Sequence, residues 1–469
     1  MEWEQLDKGK VSKVIRRIRK EKGVTIEELA DDHLGKSTIS KIENGMEHVS
    51  REKIQYYVEE KLGTTLADIA CKTMEEEQEK EIVDLKFMAI QGMVELVDPE
   101  EALQLLNELK HSPFVDDPEI SAHLKYWEGR YHLKKRNWRR AEQLYRKVIR
   151  LADKKPAILG KLNLKARAYH ELSRICFFKD DMQTALHYNQ LAFQAYDEKW
   201  QRPNLKHVLS ISKVMYLTEL NRNAEALEEL NTLWESMDEI ENAEIILDMY
   251  NLKAELTKRL GMYREAVRYA KKGIEIAQVC RIPLCAYVLW RTLGSIYVEM
   301  GKIAEAETCF LMGFRYKKRI IEMRQNFVYY AIYKELGQLY IQQEQWAQAE
   351  KILTEGVRKG KNVIPPTRYN ELLLTLGECY QKQKRAADAI EVFAQARQIA
   401  QDYQLTEQLK SIAMNMAACW QQLGNEQNFI ANLIEFYNLE TGVKSNKGGD
   451  KMYNYNRDPR TPPPPEVKK

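Results

Sequence analysis

Trp290-Arg-Thr-Leu-Gly-Ser-Ile-Tyr-Val-Glu-Met-Gly-Lys-Ile-Ala-Glu-Ala-Glu-Thr-Cys-Phe310 is the stretch from which the rest of the chain can be read. Trp290, Leu293, Gly294, Tyr297, Gly301, Ala306 and Phe310 sit where two helices folded back on each other need them. Leu293 and Tyr297 lie about one turn apart on one helix face. Gly294 lets the partner helix approach, and Gly301 supplies a turn conformation that is costly for other residues. Ala306 is small because the helices cross there, and Phe310 fills the gap beside it.

The pattern recurs with a period of about 40 residues. Its crossing alanine reappears as Ala102, Ala141, Ala185, Ala226, Ala266, Ala306, Ala349 and Ala389, and a degenerate last unit around Trp420 and Gly424 has Phe429 in that place. The fullest copies are Leu336, Gly337, Tyr340, Trp346, Ala349 and Leu376, Gly377, Tyr380, Ala389, Phe393; the units at Gly129 and at Gly261 keep only part of it. The spacing resembles tetratricopeptide repeats. Such units cannot bury their apolar faces alone, so the expected fold is all-α, with the repeats stacked into a right-handed superhelix that has a concave inner surface.

The chain has 469 residues, 30% of them charged and 44% hydrophobic, which suits long amphipathic helices with wet outer faces. Its net charge of +3 neither demands nor excludes nucleic acid, so a DNA argument must come from a local motif. Seven scattered cysteines without a Cys-x-x-Cys pair read as core residues of a reduced protein. No apolar run approaches a membrane span and no secretion signal opens the chain, so a cytoplasmic protein is expected. The histidines show no metal-ligand spacing, and no nucleophile motif or phosphate loop is visible. Neither an enzyme, a metal site nor a cofactor is expected.

Residues 9 to 70 depart from the repeat. Helical periodicity from Val11 to Lys22 stops at Gly23, and a capping box at Thr25 and Glu28 opens a short helix expected to run from Ile26 to Asp32. Then come Lys36-Ser-Thr-Ile-Ser-Lys-Ile-Glu-Asn-Gly45, with Ile39 and Ile42 facing inward, and a further helix from about Arg51 to Leu62. Two short helices around a tight turn make a helix-turn-helix. Thr25-Ile-Glu-Glu-Leu-Ala30 followed by Ser37-Thr-Ile-Ser-Lys-Ile-Glu-Asn-Gly45 resembles the phage-repressor type of DNA-binding domain, the XRE family. The turn between Leu29 and Lys36 is one residue shorter than is usual there and matches the peptide-pheromone regulators of Gram-positive bacteria. The resemblance implies major-groove contacts from Lys36, Ser37, Ser40 and Lys41, and a buried ion pair between Arg19 and Glu43. His48 and Arg51, just beyond, are candidates for phosphate contacts. Acidic and basic side chains are nearly balanced over the first 70 residues, so nonspecific affinity is expected to be weak and a homodimer to be needed.

The expected organisation is a reader at 1–70, a charge-dense linker at 71–80 containing Met74-Glu-Glu-Glu-Gln-Glu-Lys80, repeats over 81–441, and a disordered tail at 442–469. In the repeat register, first-helix residues three before and one after the glycine position face inward. Tyr126, Arg130, His170, Arg174, Asn251, Glu255, Arg291, Lys334 and Gln338 are therefore candidate contacts for an extended peptide, with an apolar patch at Ile211 and Met215. Asparagine and glutamine can pair with both the N–H and the C=O of a peptide bond. Reader and repeats together resemble the RRNPP family of quorum-sensing regulators. That resemblance implies double-stranded DNA and a short signalling peptide as partners, the peptide altering DNA affinity. A Rap-like protein acting on a response regulator, or an arbitrium-type phage peptide receptor, shares parts of this architecture.

Overall fold

The computed structural model describes residues 7–45, 48–112, 114–200, 204–316, 319–320, 330–361 and 363–441, and every regular element among them is a helix. The segment expected to form a tail, 442–469, lies outside the described residues. Two compact units emerge, one of Met1–Leu172 with Ala195–Gln201 and one of Ser173–Gln194 with Arg202–Lys469.

The first unit opens with α1 (Lys8–Glu21), capped by the Asp7 side chain on the Lys10 amide. α2 (Ile26–Leu29) starts at the expected capping box but is shorter than expected, because Ala30 is already extended. Asp31 is the cause. Its carboxylate accepts from the amides of His33 and Leu34, offering the backbone a turn in place of another helical turn. α3 (Lys36–Asn44) and α4 (Arg51–Tyr56), the latter running on as a widened turn over Tyr57–Lys61, complete the bundle. Val11, Ile15, Leu34, Ile39, Ile42, Tyr57 and Leu62 form its core.

α5 (Leu66–Leu96) is a single helix of 31 residues, and the charge-dense 71–80 lies within it. Its start belongs to the bundle, with Leu66, Ile69 and Ala70 in that core and Thr73 buried just beyond. The acidic run serves α1: Glu77 pairs with Lys10 at 2.6 Å, and Glu76 pairs with Arg17. Further along, Val83, Phe87, Ile90 and Val94 are buried at helical spacing, on the part of α5 that packs against Pro99–Lys110 and Pro118–Lys134. One helix therefore carries core residues of both the bundle and the first repeats.

Each anchor alanine from Ala102 to Ala389 is fully buried and is the fourth residue of the second helix of its pair. In the last pair, Thr406–Gln422 and Glu426–Thr441, Phe429 holds that place and is half-buried. Five residues before the anchor, the turn of every pair from Ala141 onward has a left-handed residue: Arg136, Asp180, Asn221, Gly261, Gly301, Glu344, Lys384 and Gly424, with φ between 57° and 75°. Only three of these are glycine, which is why several copies look weak in sequence although the turn is the same. Gly294 admits the Phe310 ring, and a Cβ there would collide with it.

In the second unit the first helices form a continuous row. Asn204–Glu219 touches Ala243–Arg259, which touches Pro283–Glu299, followed by Ala331–Gln342, Pro366–Lys382 and Thr406–Gln422.

Candidate functional site

α3 brings the four expected base-reading residues to one face. Lys36, Ser37 and Lys41 are exposed and Ser40 is half-exposed, while Ile39, Ile42 and Glu43 point into the bundle. Lys36 is the first residue of the helix, where an ammonium opposes the helix dipole; Glu27, 3.9 Å away, is its partner across the surface. A pair this exposed contributes about 1 kcal/mol at most, so an incoming phosphate or base edge competes easily. Ser40 accepts from the Asn44 side chain at 3.2 Å. His48 is exposed at φ 60° in the following turn, and Arg51 is exposed at the start of α4.

The orientation of α3 is set beneath this face. Arg19 of α1 and Glu43 of α3 form the expected ion pair, side-on, through Nε to Oε1 at 2.7 Å and Nη2 to Oε2 at 3.0 Å. The Tyr57 hydroxyl donates to the same Oε1 at 2.8 Å, and Arg19 Nη1 donates to the Val24 carbonyl. Sequence reasoning missed Tyr57. Its hydroxyl is held in the neutral form, first by burial and then by the Glu43 carboxylate it bonds.

The inward-facing candidates divide sharply. In the first unit Tyr126, Arg130 and His170 are buried, and so form part of the wall rather than offering surface. Arg130 is clamped by Glu95 (Nε, 2.9 Å) and Glu171 (Nη1, 2.5 Å), Tyr126 donates to Glu171 at 3.3 Å, and Arg167 stacks on the Tyr126 ring at 4.0 Å. Burial works against the Arg130 charge, and Glu171, Tyr126 and Glu95 more than restore it.

In the second unit the candidates are reachable, and Asn251, Arg291 and Lys334 are tied to the next repeat. Arg174 is half-buried with its guanidinium 6.0 Å from the Phe178 ring, and Ile211 and Met215 pack against the core. Asn251 accepts from Thr292 at 2.7 Å. Glu255 pairs with Lys258 at 2.9 Å and Arg259 at 3.1 Å, and Lys258 also donates to Ser295 at 2.9 Å. Arg291 meets Glu335 at 3.3 Å and Lys334 meets Glu371 at 2.7 Å, while Gln338 is exposed.

Three of these links share one rule: the residue three before the glycine position bonds the residue two before it in the next repeat. Tyr126 to Glu171, Asn251 to Thr292 and Arg291 to Glu335 all follow it. Reading the register one residue further along the helix finds Glu171, Thr292 and Glu335. Asp248 was also missed. It is open to solvent, yet the surrounding protein, and next the Glu244 charge, push its carboxyl up to about 7.

Among the described residues no group of three His, Cys, Asp or Glu is placed to hold a metal ion, and no helix is long and apolar enough to cross a membrane. None of the seven cysteines forms a disulfide among the described residues.

The Helix-turn-helix family model matches residues 15–70, and Tetratricopeptide repeat models match residues 247–280 and 334–403. No curated protein matches the chain in sequence. Among solved structures, a Rap protein complexed with competence and sporulation factor aligns with TM-score 0.52 and 11% identity, over 77% of this chain and 98% of its own. The apo form of the quorum sensor NprR from B. thuringiensis aligns with TM-score 0.51 and 18% identity, over 77% of this chain and 99% of its own. NprR in complex with its cognate peptide NprX gives TM-score 0.52 at 18% identity, over 76% and 98%. The chain thus joins a helix-turn-helix at its N-terminal end to tetratricopeptide repeats, and about three quarters of it shares the fold of the NprR and Rap structures.

Proposed function

We propose that this chain is a cytoplasmic transcription regulator of the RRNPP type, in which residues 1–70 read an operator and the repeats over 81–441 bind a short signalling peptide that alters the reading. The observation that carries the proposal is α5. Its first turns complete the core that supports α3, and its later turns are core to the first repeats, so a strain in one is felt in the other. Lys36, Ser37, Ser40 and Lys41 are the base-reading set, and His48 and Arg51 hold phosphates. Two copies bind a two-fold site with half-sites about 34 Å apart or a multiple of that. The peptide lies along the first helices, with Asn251 and Gln338 on its backbone and Arg291 near a carboxylate. The fold match, over 76% of this chain, to a quorum sensor bound to its peptide supports this reading.

The Rap-like alternative, action on a response regulator, is supported by the comparable fold match to a Rap protein. The helix-turn-helix match over residues 15–70 favours the DNA reader. Selection from random duplex DNA with the full chain tests the choice. A recurrent two-fold sequence, lost by about 1 to 3 kcal/mol in Lys41→Ala, is expected. Enrichment of no sequence would remove the DNA half of the proposal.

A further inference from the structure

Arg291 is held less firmly than the neighbouring cations Lys258 and Lys334 of the first-helix row. Lys258 has Glu255 and Ser295, each at 2.9 Å, and Lys334 has Glu371 at 2.7 Å. Arg291 touches Glu335 end-on, through Nη1 alone, at 3.3 Å. Among the described residues its Nε donates to nothing, and the second oxygen of Glu335 accepts nothing. The contrast with Arg19 and Glu43, which use both arms of the fork at 2.7 and 3.0 Å, shows how much of the Arg291 guanidinium is unspent. Both side chains can be reached, with 33% of Arg291 and 23% of Glu335 open to solvent.

We propose that Arg291 seats a carboxylate of the bound peptide and that Glu335 is the resident carboxylate displaced from it, so that peptide binding is coupled to uptake of one proton by Glu335. This rests on the peptide reading above and specifies how that site is regulated.

The electrostatic surroundings give the direction. Burial raises the affinity of Glu335 for a proton; Arg291 is the strongest counterweight, followed by Lys334 on its own helix and Lys258 on Ala243–Arg259, while Glu255 on that helix works the other way. Tyr287, on the same helix as Arg291, also faces the pair, and Glu371 on Pro366–Lys382 neutralises Lys334. When an incoming carboxylate takes over Arg291, Glu335 loses that counterweight and gains an anion beside it. Two carboxylates so placed cannot both stay ionised cheaply, and the resident one protonates from solvent. Binding therefore strengthens as pH falls, by at most about tenfold per unit for one proton.

The experiment uses the immobilised full chain and three pools of random hexapeptides, with retention read by mass spectrometry at pH 6 and pH 8. One pool lacks Asp and Glu and has free C-termini, one is amidated but contains Asp and Glu, and one is amidated and lacks both. Retention of either carboxylate-bearing pool over the third is expected, and the arm retained tells a chain terminus from an acidic side chain. Retention should rise from pH 8 to pH 6. Arg291→Ala should lose the preference for carboxylate. Glu335→Gln, neutral and of the same shape, should bind more tightly than the parent at pH 8 and show a smaller pH slope; taking the difference between the two proteins cancels the titration of Asp248. Weaker binding by Glu335→Gln at both pH values would make Glu335 a buttress and overturn the proposal. Retention without carboxylate preference would overturn it while leaving the peptide reading intact. No retention of any pool would remove both.

Discussion

Arg19 and Glu43 hold α1 and α3 together side-on, Nε to Oε1 at 2.7 Å and Nη2 to Oε2 at 3.0 Å, with Tyr57 donating to the same carboxylate. Glu43 lies on the buried side of α3, away from Lys36, Ser37 and Lys41. Glu43→Ala should therefore destabilise the bundle by about 3 kcal/mol, because it strands a largely buried guanidinium. Tyr57→Phe, which removes one hydrogen bond to a charged group, should cost roughly half as much. Chemical denaturation measures both; full stability with lost DNA binding in Glu43→Ala would mean that the residue serves DNA instead.

α5 runs unbroken from the bundle into the first repeats, and the proposed coupling of reader and repeats depends on that continuity. Gln78 is exposed in the middle of the helix, so Gln78→Pro breaks the helix at about 3 kcal/mol without removing a core side chain. DNA binding and peptide binding should both survive, and the effect of one on the other should vanish. Mobility shifts with and without peptide check this. An undiminished peptide effect in the proline variant would show that the coupling runs elsewhere.

The repeat architecture was legible because packing leaves a mark at every period: an alanine where helices cross must be small in all copies, and Ala102 to Ala389 are. The Arg19 and Glu43 pair was legible from the resemblance of its motif. The inner face was not. A first-helix residue that faces inward also faces the next repeat, and sequence register alone does not tell a side chain offered to a ligand from one tied to its neighbour. Arg130 and Arg291 occupy neighbouring register positions, yet Arg130 is sealed between Glu95 and Glu171 while Arg291 is reachable. The turns misled in the opposite sense, since Arg136, Glu344 and Lys384 adopt the conformation that Gly301 adopts.

That last fact predicts a stabilising substitution. Glu344 is exposed at φ 58°, where a side chain is strained and glycine is not. Glu344→Gly relieves on the order of 1 kcal/mol of left-handed strain, less part of glycine's entropy cost. A melting temperature raised by one to a few degrees, on the order expected for a large domain, is the outcome. A lower one would mean that Glu344 makes compensating contacts.

Asp248 gives a pH signature. A carboxyl raised in the folded state favours the folded form most at low pH, and that contribution is lost as pH rises from the ordinary carboxylate range through about 7. Asp248→Asn should thus melt above the parent at pH 8 and level with it near pH 4. A constant difference across that window would mean that Asp248 titrates normally.

In the proposed function, peptide and operator act on one equilibrium. Calorimetric titration of the full chain with a retained peptide, with and without the selected operator, and of the operator with and without the peptide, measures both couplings. Linkage requires the two factors to be equal, and a regulatory coupling should be at least about fivefold. Peptide affinity that is the same with and without DNA would rule out a peptide switch and leave the repeats as a docking scaffold.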